Sequence, residues 1–136
     1  MSGLLDRVLG YLADAVKTDY IIEEGTTPIT TIGSWTWRKW KSGKIEAWGE
    51  MSGSTSNYAT MISGSIFGYR ITYVPTPVTM KNTSYSVFGD WWINSGYAWQ
   101  ATVLGRTTAK FDVYALAGQS GNRNYTARLY FVGEYA

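Results

Sequence analysis

Apolar residues recur every three or four positions over residues 1–18, which is the spacing of an amphipathic helix. Such a short helix is marginal in water by itself, so another surface must cover its apolar stripe. The pattern leaves three partners open: the rest of the domain, further copies of the helix in a parallel bundle, or the continuation of a longer coiled coil. The stripe that we assign to oligomerisation consists of Leu5, Val8, Leu9, Leu12 and Val16.

After Thr18 the pattern changes to a period of two or to short apolar runs, and residues 19–23 fit either a short strand or an extended connector. From Ser34 onward the chain has the pattern of antiparallel β-structure, with turn residues at regular intervals. This spacing of short strands is typical of a β-sandwich or a β-barrel rather than of a βαβ fold. We expect a mainly β fold, an antiparallel sandwich of about seven or eight strands preceded by one N-terminal α-helix. The predicted organisation is a helix over 1–18, a connector over 19–33 that is rich in Gly and Thr and contains Pro28, and a sandwich head domain over 34–136.

Composition narrows the chemistry that this chain can perform. Its 136 residues fit one domain, contain no His and no Cys, and carry a formal net charge of +2. The chain therefore lacks the commonest general base, the commonest zinc ligand and any thiol nucleophile. Neither a calcium loop nor a serine-hydrolase motif occurs in the sequence. We expect no enzymatic activity, no metal site and no cofactor.

The distribution of charge and hydropathy excludes two further classes of partner. The basic residues form no stripe or cluster, so we expect no nucleic-acid binding. No apolar run reaches the roughly 18 residues of a transmembrane helix, so we expect no membrane insertion. In contrast, seven Trp and eleven Tyr are more than a core of this size needs. Some of these rings are therefore expected to face solvent or a partner.

The most informative segment is a pair of aromatic-rich strands around the turn signal Ser42-Gly43. A two-residue turn at this position places Lys39 opposite Glu46 and Trp37 opposite Trp48. An ion pair would then lie beside an aromatic pair on one face of the hairpin. A one-residue bulge would exchange the two faces, because side chains alternate along a strand.

This hairpin carries the motif W-x-W-R-K-W-x-S-G-x-x-E-x-W-G from Trp35 to Gly49, and Gly25-Thr26 precedes it. The motif resembles a pattern in the C-terminal head domains of phage tail-fibre and related minor structural proteins. The lead-in from Asp19 also resembles the junction between stalk and head in that family. The chain departs from the family at Ala47, where the family often has Cys.

The resemblance implies a virion location and a receptor-binding role in host attachment. Family members assemble as homotrimers and bind a host cell-surface glycan or protein without catalysis, and the N-terminus is expected to contact other virion proteins. Three alternatives remain open. These are a capsid-fibre or baseplate decoration domain that binds another phage protein, a glycan depolymerase, and a monomeric bacterial carbohydrate-binding module.

Two groups of side chains fit carbohydrate binding, in which aromatic rings stack on the C–H face of a sugar and polar groups bind its hydroxyls. One group surrounds a turn signal at 94–96, and the other lies in the polar loop 118–125. Core and subunit-interface packing is the alternative role for the first group, and a solvated turn for the second. The predicted ligand-binding residues are Asp90, Trp91, Trp92, Asn94, Tyr97, Trp99, Asn122, Arg123 and Tyr125.

Glu46 is the candidate carboxylate for a sugar contact or for acid catalysis, with an ion pair to a neighbouring cation as the alternative. A glycosidase needs two carboxylates about 5–9.5 Å apart. Glu46 and Glu50 share one face of their strand at a separation of about 13 Å, which is too far for either mechanism. We therefore expect Glu46 to form an ion pair.

Overall fold

The computed structural model describes residues 3–9, 18–30, 33–55, 60–63, 66–93, 99–117 and 123–136. Residues 3–9 are helical, as the N-terminal pattern predicts, whereas Leu12 and Val16 lie outside the described residues. Within these ranges the chain forms nine β-strands. They are β1 (Ile21–Thr30), β2 (Gly33–Trp40), β3 (Lys44–Thr55), β4 (Thr60–Ser63), β5 (Ile66–Pro75), β6 (Ser86–Ile93), β7 (Trp99–Leu104), β8 (Lys110–Ala117) and β9 (Arg123–Glu134).

The strands form two antiparallel sheets that face each other across one core. The five-stranded sheet has the order β1-β2-β3-β9-β6, and the four-stranded sheet has the order β4-β5-β8-β7. The expected mainly β, antiparallel sandwich behind one N-terminal helix is confirmed. The described part contains more strands than expected, because β1 extends through residues 24–30, which the sequence pattern marked as a loop, and β4 comes from a segment that it did not mark as a strand.

Most of the segment predicted as a connector over 19–33 is the strand β1, which pairs with β2. Proline is tolerated in β1 because this is an edge strand, and Pro28 is exposed. Gly25 serves packing rather than a turn: a Cβ atom at this position would lie 2.4 Å from the Trp37 ring. This segment therefore has the composition of a loop, but it forms an edge strand that packs against a tryptophan ring.

Alternate side chains of β2, β3 and β9 point into the sandwich. Trp35 and Phe131 are fully buried, and their rings meet edge to face with centroids 5.7 Å apart. Trp35 also joins the two sheets, because its indole N–H donates a hydrogen bond of 2.7 Å to the carbonyl of Pro75 in β5. The core between the sheets includes Trp35, Trp37, Ile45, Ala47, Met51, Tyr125, Ala127, Leu129 and Phe131 from one sheet and Ile71, Val74, Phe111 and Val113 from the other.

The register of the β2–β3 hairpin differs by one residue from the prediction. Trp37 lies opposite Ala47, and Thr36 lies opposite Trp48, so the predicted Trp37–Trp48 pair is wrong. The cause is Gly43, whose φ of 99° closes a three-residue loop between the strands. As a result Trp37 points into the core and Trp48 points to solvent.

The predicted pair of Lys39 with Glu46 is wrong for the same reason. Arg38 takes the position opposite Glu46, and the Lys39 ammonium lies 3.4 Å from the carboxylate of Glu23. The expected ion pair at Glu46 is present, with the ammonium of Lys44 at 3.2 Å.

Two later turn signals join strands of different sheets. β6 and β7 belong to different sheets, and so do β8 and β9. The connecting residues, 94–98 and 118–122, lie outside the described residues. The chain therefore crosses from one sheet to the other at both points.

Replacing Gly43 by Ala should lower the free energy of unfolding by about 1–2 kcal/mol, because an L side chain is strained at positive φ. A Cβ atom there meets no other atom within 4 Å, so the loss would report backbone strain alone. Urea unfolding measures the effect, with Gly43→Asn as the control, since Asn tolerates this conformation better. Equal stability of the Ala variant and the parent protein would contradict this account of the register.

Candidate ligand-binding surface

The outer face of the five-stranded sheet carries transverse rows of side chains, because the antiparallel register aligns the outward positions of all five strands. The middle row is uncharged and consists of three aromatic side chains followed by two threonines. From β6 to β1 it reads Phe88, Tyr130, Trp48, Thr36 and Thr26. We call its aromatic part, Phe88, Tyr130 and Trp48, the aromatic platform.

The aromatic platform is a continuous group of rings open to solvent. Phe88 is 58% exposed and Trp48 is 42% exposed, with the half-buried Tyr130 between them. The rings of Phe88 and Tyr130 are inclined by 29°, with centroids 6.2 Å apart. The Trp48 ring is inclined by 51° to that of Tyr130 at 5.7 Å. This contiguous group of exposed rings is a candidate interaction surface.

Two flanking rows of side chains border the middle row, one on each side. The first consists of Ser86, Val132, Glu46, Arg38 and Glu24, and the second of Asp90, Arg128, Glu50, Ser34 and Pro28. The cations on this face each lie beside a carboxylate. The ion pairs are Arg38–Glu24 at 3.3 Å, Lys44–Glu46 at 3.2 Å and Arg128–Glu50 at 3.6 Å.

Glu46 fixes the central ring of the aromatic platform. The Tyr130 hydroxyl donates a hydrogen bond of 2.8 Å to the Glu46 carboxylate. This bond, together with the Lys44 charge, lowers the pKa of Glu46 below its ordinary value of 4.5, although burial opposes the shift. The same bond raises the pKa of Tyr130. The carboxylate is thus held ionised by its neighbours.

Arg38 covers part of the platform as well. Its guanidinium lies 5.5 Å from the centroid of the Trp48 ring, within the range of a cation–π contact. Its ion pair with Glu24 holds it from the other side. The Trp48 ring is therefore held in place by a side chain of the neighbouring strand.

Two of the predicted ligand-binding residues lie near the aromatic platform. Asp90 and Trp92 are exposed on the outward face of β6, next along the strand from Phe88. The Arg128 guanidinium lies 5.6 Å from the centroid of the Trp92 ring. The structure therefore brings Asp90 and Trp92 to the same face as the platform.

Trp91 points the other way, because adjacent residues of a strand face opposite sides of the sheet. It is half-buried and packs against the core. It also lines a cleft of about 400 Å³ between β6 and β7, together with Val87 and Val103. This placement fits packing between the sheets better than contact with a ligand on the outer face.

Tyr125 requires a correction, because it is a core residue and is not accessible to a surface ligand. It was predicted to belong to a polar binding loop. Instead it is the third residue of β9, points inward and is 7% exposed. The strand begins earlier than the sequence pattern indicates, and alternation along it buries this tyrosine.

The other predicted ligand-binding residues fall at or beyond the limits of the described ranges. Asn94, Tyr97 and Asn122 lie outside them. Trp99 is the first residue of β7, and Arg123 is the first residue of β9.

Sequence reasoning missed all three residues of the aromatic platform as ligand-binding residues. Trp48 was recognised as part of the aromatic hairpin, but the assumed register paired it with the core residue Trp37. Tyr130 belongs to a strand whose partners are far away in sequence. A pattern search for outward aromatic positions on successive strands could have found the set once the register was known.

A further exposed aromatic residue lies on the four-stranded sheet. Tyr73 is 74% exposed at a bulge in β5 and has a φ of 61°. Its backbone N–H donates a hydrogen bond of 3.1 Å to the buried carboxylate of Asp112, which also binds the Lys110 ammonium. Tyr73 thus offers an exposed ring that is remote from the outer face of the five-stranded sheet.

Comparisons of this chain with protein-family models, with curated proteins and with solved structures give no match. Among the described residues, no helix combines the length and the hydropathy that a membrane span requires. In the same ranges, no group of three or more His, Cys, Asp or Glu side chains is placed to hold a metal ion.

Tyr130→Phe should lower the free energy of unfolding by about 1 kcal/mol at neutral pH, because it removes the hydrogen bond to an ionised Glu46. The folded pKa of Glu46 lies below the unfolded value of 4.5. The contribution is therefore present above that pH and lost as the pH falls through the folded pKa. Urea unfolding of both proteins over an acid pH series measures this.

The difference in the free energy of unfolding between the parent protein and Tyr130→Phe should shrink towards acid pH. Like Tyr130→Phe, Glu46→Gln should make the free energy of unfolding depend less on pH. A difference that stays constant across the series would contradict the assignment of this hydrogen bond to the ionised carboxylate.

Proposed function

We propose that this chain is the non-enzymatic receptor-binding head of a phage tail fibre, which attaches the virion to a host-surface glycan through the aromatic platform. The observation that carries the proposal is the exposed aromatic group Phe88, Tyr130 and Trp48, which lies between two rows that carry charged side chains. The motif between Trp35 and Gly49 supports the virion location by its resemblance to phage head domains.

The chemistry of the outer face suits sugars. Aromatic rings provide apolar surface for the C–H face of a pyranose, and the surrounding carboxylates, guanidinium groups and hydroxyls can bind its hydroxyl groups. Both Glu46 and Glu50 on this face are engaged in ion pairs with cations. This favours binding over acid–base catalysis.

The N-terminal helix supports a multivalent assembly. Leu5, Val8 and Leu9 of the oligomerisation stripe are all about half exposed or more, at 59%, 48% and 54%. Covering them with the same helix of two further copies gives the homotrimer that the family resemblance implies. Three weak glycan sites in one particle would raise avidity by about 10²–10⁴ over a single site.

Trp48→Ala and Phe88→Ala should each weaken binding to host cells or to an immobilised surface glycan by about tenfold, as expected for an aromatic side chain at the centre of a contact. Glycan arrays and whole-cell binding measure this. Tyr73→Ala is the matched control, since it removes an exposed ring from the four-stranded sheet. Equal binding by the platform variants and the parent protein would reject the platform as the glycan site.

The alternative function is a virion structural or decoration domain that uses the same exposed rings to bind another phage protein. It predicts that the platform variants bind host cells and glycans no differently from the parent protein. It also predicts that they lose association with purified virion proteins.

The native mass in solution should be that of a trimer of the 15.2 kDa chain. Leu5→Asp with Leu9→Asp should shift it towards the monomer, because charges replace apolar residues of the oligomerisation stripe. Light scattering after size exclusion measures the mass, with the exposed Asp6→Asn as the control. A monomer in the parent protein would remove the multivalency argument.

A further inference from the structure

The middle row of the outer face crosses the entire five-stranded sheet rather than ending with the aromatic platform. The register continues it from Trp48 to Thr36 on β2 and to Thr26 on β1. Both threonines are exposed. Resting on the proposed function, we propose that the middle row is a binding track for a linear, uncharged glycan that runs perpendicular to the strands.

The two ends of the track differ in chemistry, which gives it a direction. The end at β6 and β9 offers the rings of Phe88 and Tyr130, and the end at β2 and β1 offers the hydroxyl groups of Thr36 and Thr26. A sugar on the platform gains from ring stacking, whereas a sugar at the threonine end gains from hydrogen bonds. A chain that occupies both ends therefore uses more of the surface than a terminal sugar does.

The spacing of the track fits successive sugars. Neighbouring strands lie about 4.8 Å apart, which is close to the advance of one pyranose along an extended glycan, so the row from β6 to β1 accommodates about four or five units. The sheet therefore presents one side chain of the row for each sugar. A ligand that binds this way must be at least as long as a tetrasaccharide to reach from Phe88 to Thr36.

The flanking rows argue for an uncharged ligand. Their cations Arg38 and Arg128 each lie beside a carboxylate, and Lys44 lies beside Glu46. Asp90 adds a further negative charge opposite Arg128. A polyanionic glycan would have to displace these partners and would meet the acidic side chains directly. An uncharged glycan leaves the ion pairs intact.

The experiment measures the affinity of the full chain for length series of linear β-1,4-glucose, β-1,4-galactose and β-1,4-N-acetylglucosamine oligomers, from disaccharide to hexasaccharide. Isothermal titration calorimetry is run at low and high salt. At least one series should gain affinity up to the tetrasaccharide or pentasaccharide and then level off, with little dependence on salt.

Thr36→Val tests the far end of the track, because it keeps the shape of the side chain and removes the hydroxyl. It should weaken tetrasaccharide binding by about two- to tenfold and leave disaccharide binding unchanged. Thr83→Val, at an exposed position outside the sheet, is the matched control and should bind as the parent protein does. The spectrum and unfolding midpoint of each variant confirm that it is folded.

The outcomes separate this inference from the proposed function. Platform-dependent binding to cells or glycan arrays without length dependence, or with Thr36→Val equal to the parent protein, overturns the track and leaves the function standing. Binding confined to acidic glycans, or the failure of every neutral series, also overturns the track. Loss of platform dependence in the cell and array assays overturns the function itself.

Discussion

The continuous pairing of β3 with β9, from Lys44 opposite Glu134 to Thr55 opposite Arg123, is the interaction on which the rest of the structure depends. Because side chains alternate along both strands, it sends Ile45 and Phe131 into the core and leaves Trp48 beside Tyr130 in solvent. A slip of one residue would reverse both faces. The same pairing therefore fixes the hydrophobic core and the candidate binding surface.

The fold was largely predictable from the sequence, because period-two alternation and turn residues are local signals. The errors arose where a long-range contact decides the outcome. Pro28 and Gly25 read as a loop, but the edge position of β1 tolerates the proline and the Trp37 ring needs the glycine. The hairpin register depended on the backbone conformation of Gly43, which the dipeptide with Ser42 leaves open.

The candidate site was less predictable for a related reason. Its three rings come from strands that are distant in sequence, and only the registers of β3 with β9 and of β9 with β6 bring them together. Asp90 and Trp92 were predicted because they lie close in sequence to the turn signal at 94–96. Tyr125 was misjudged because it was assigned to the polar loop, whereas in β9 it shares the inward face with Ala127 and Leu129. Strand pairing decides which residues become neighbours across a sheet. A single sequence carries little information about strand pairing.

The place of β9 has a consequence for how the protein is made. It is the last strand of the sheet in chain order, yet it lies between β3 and β6. At about 5–20 residues per second, several seconds pass during translation between the completion of β3 and the start of β9. Throughout that interval the nascent chain presents an open strand edge and the unpaired apolar face around Ile45. If chains associate through the N-terminal helix as they emerge, a finished β9 can insert into the sheet of a neighbouring copy. In such an assembly, each chain would have to capture its own final strand faster than it captures that of its neighbour.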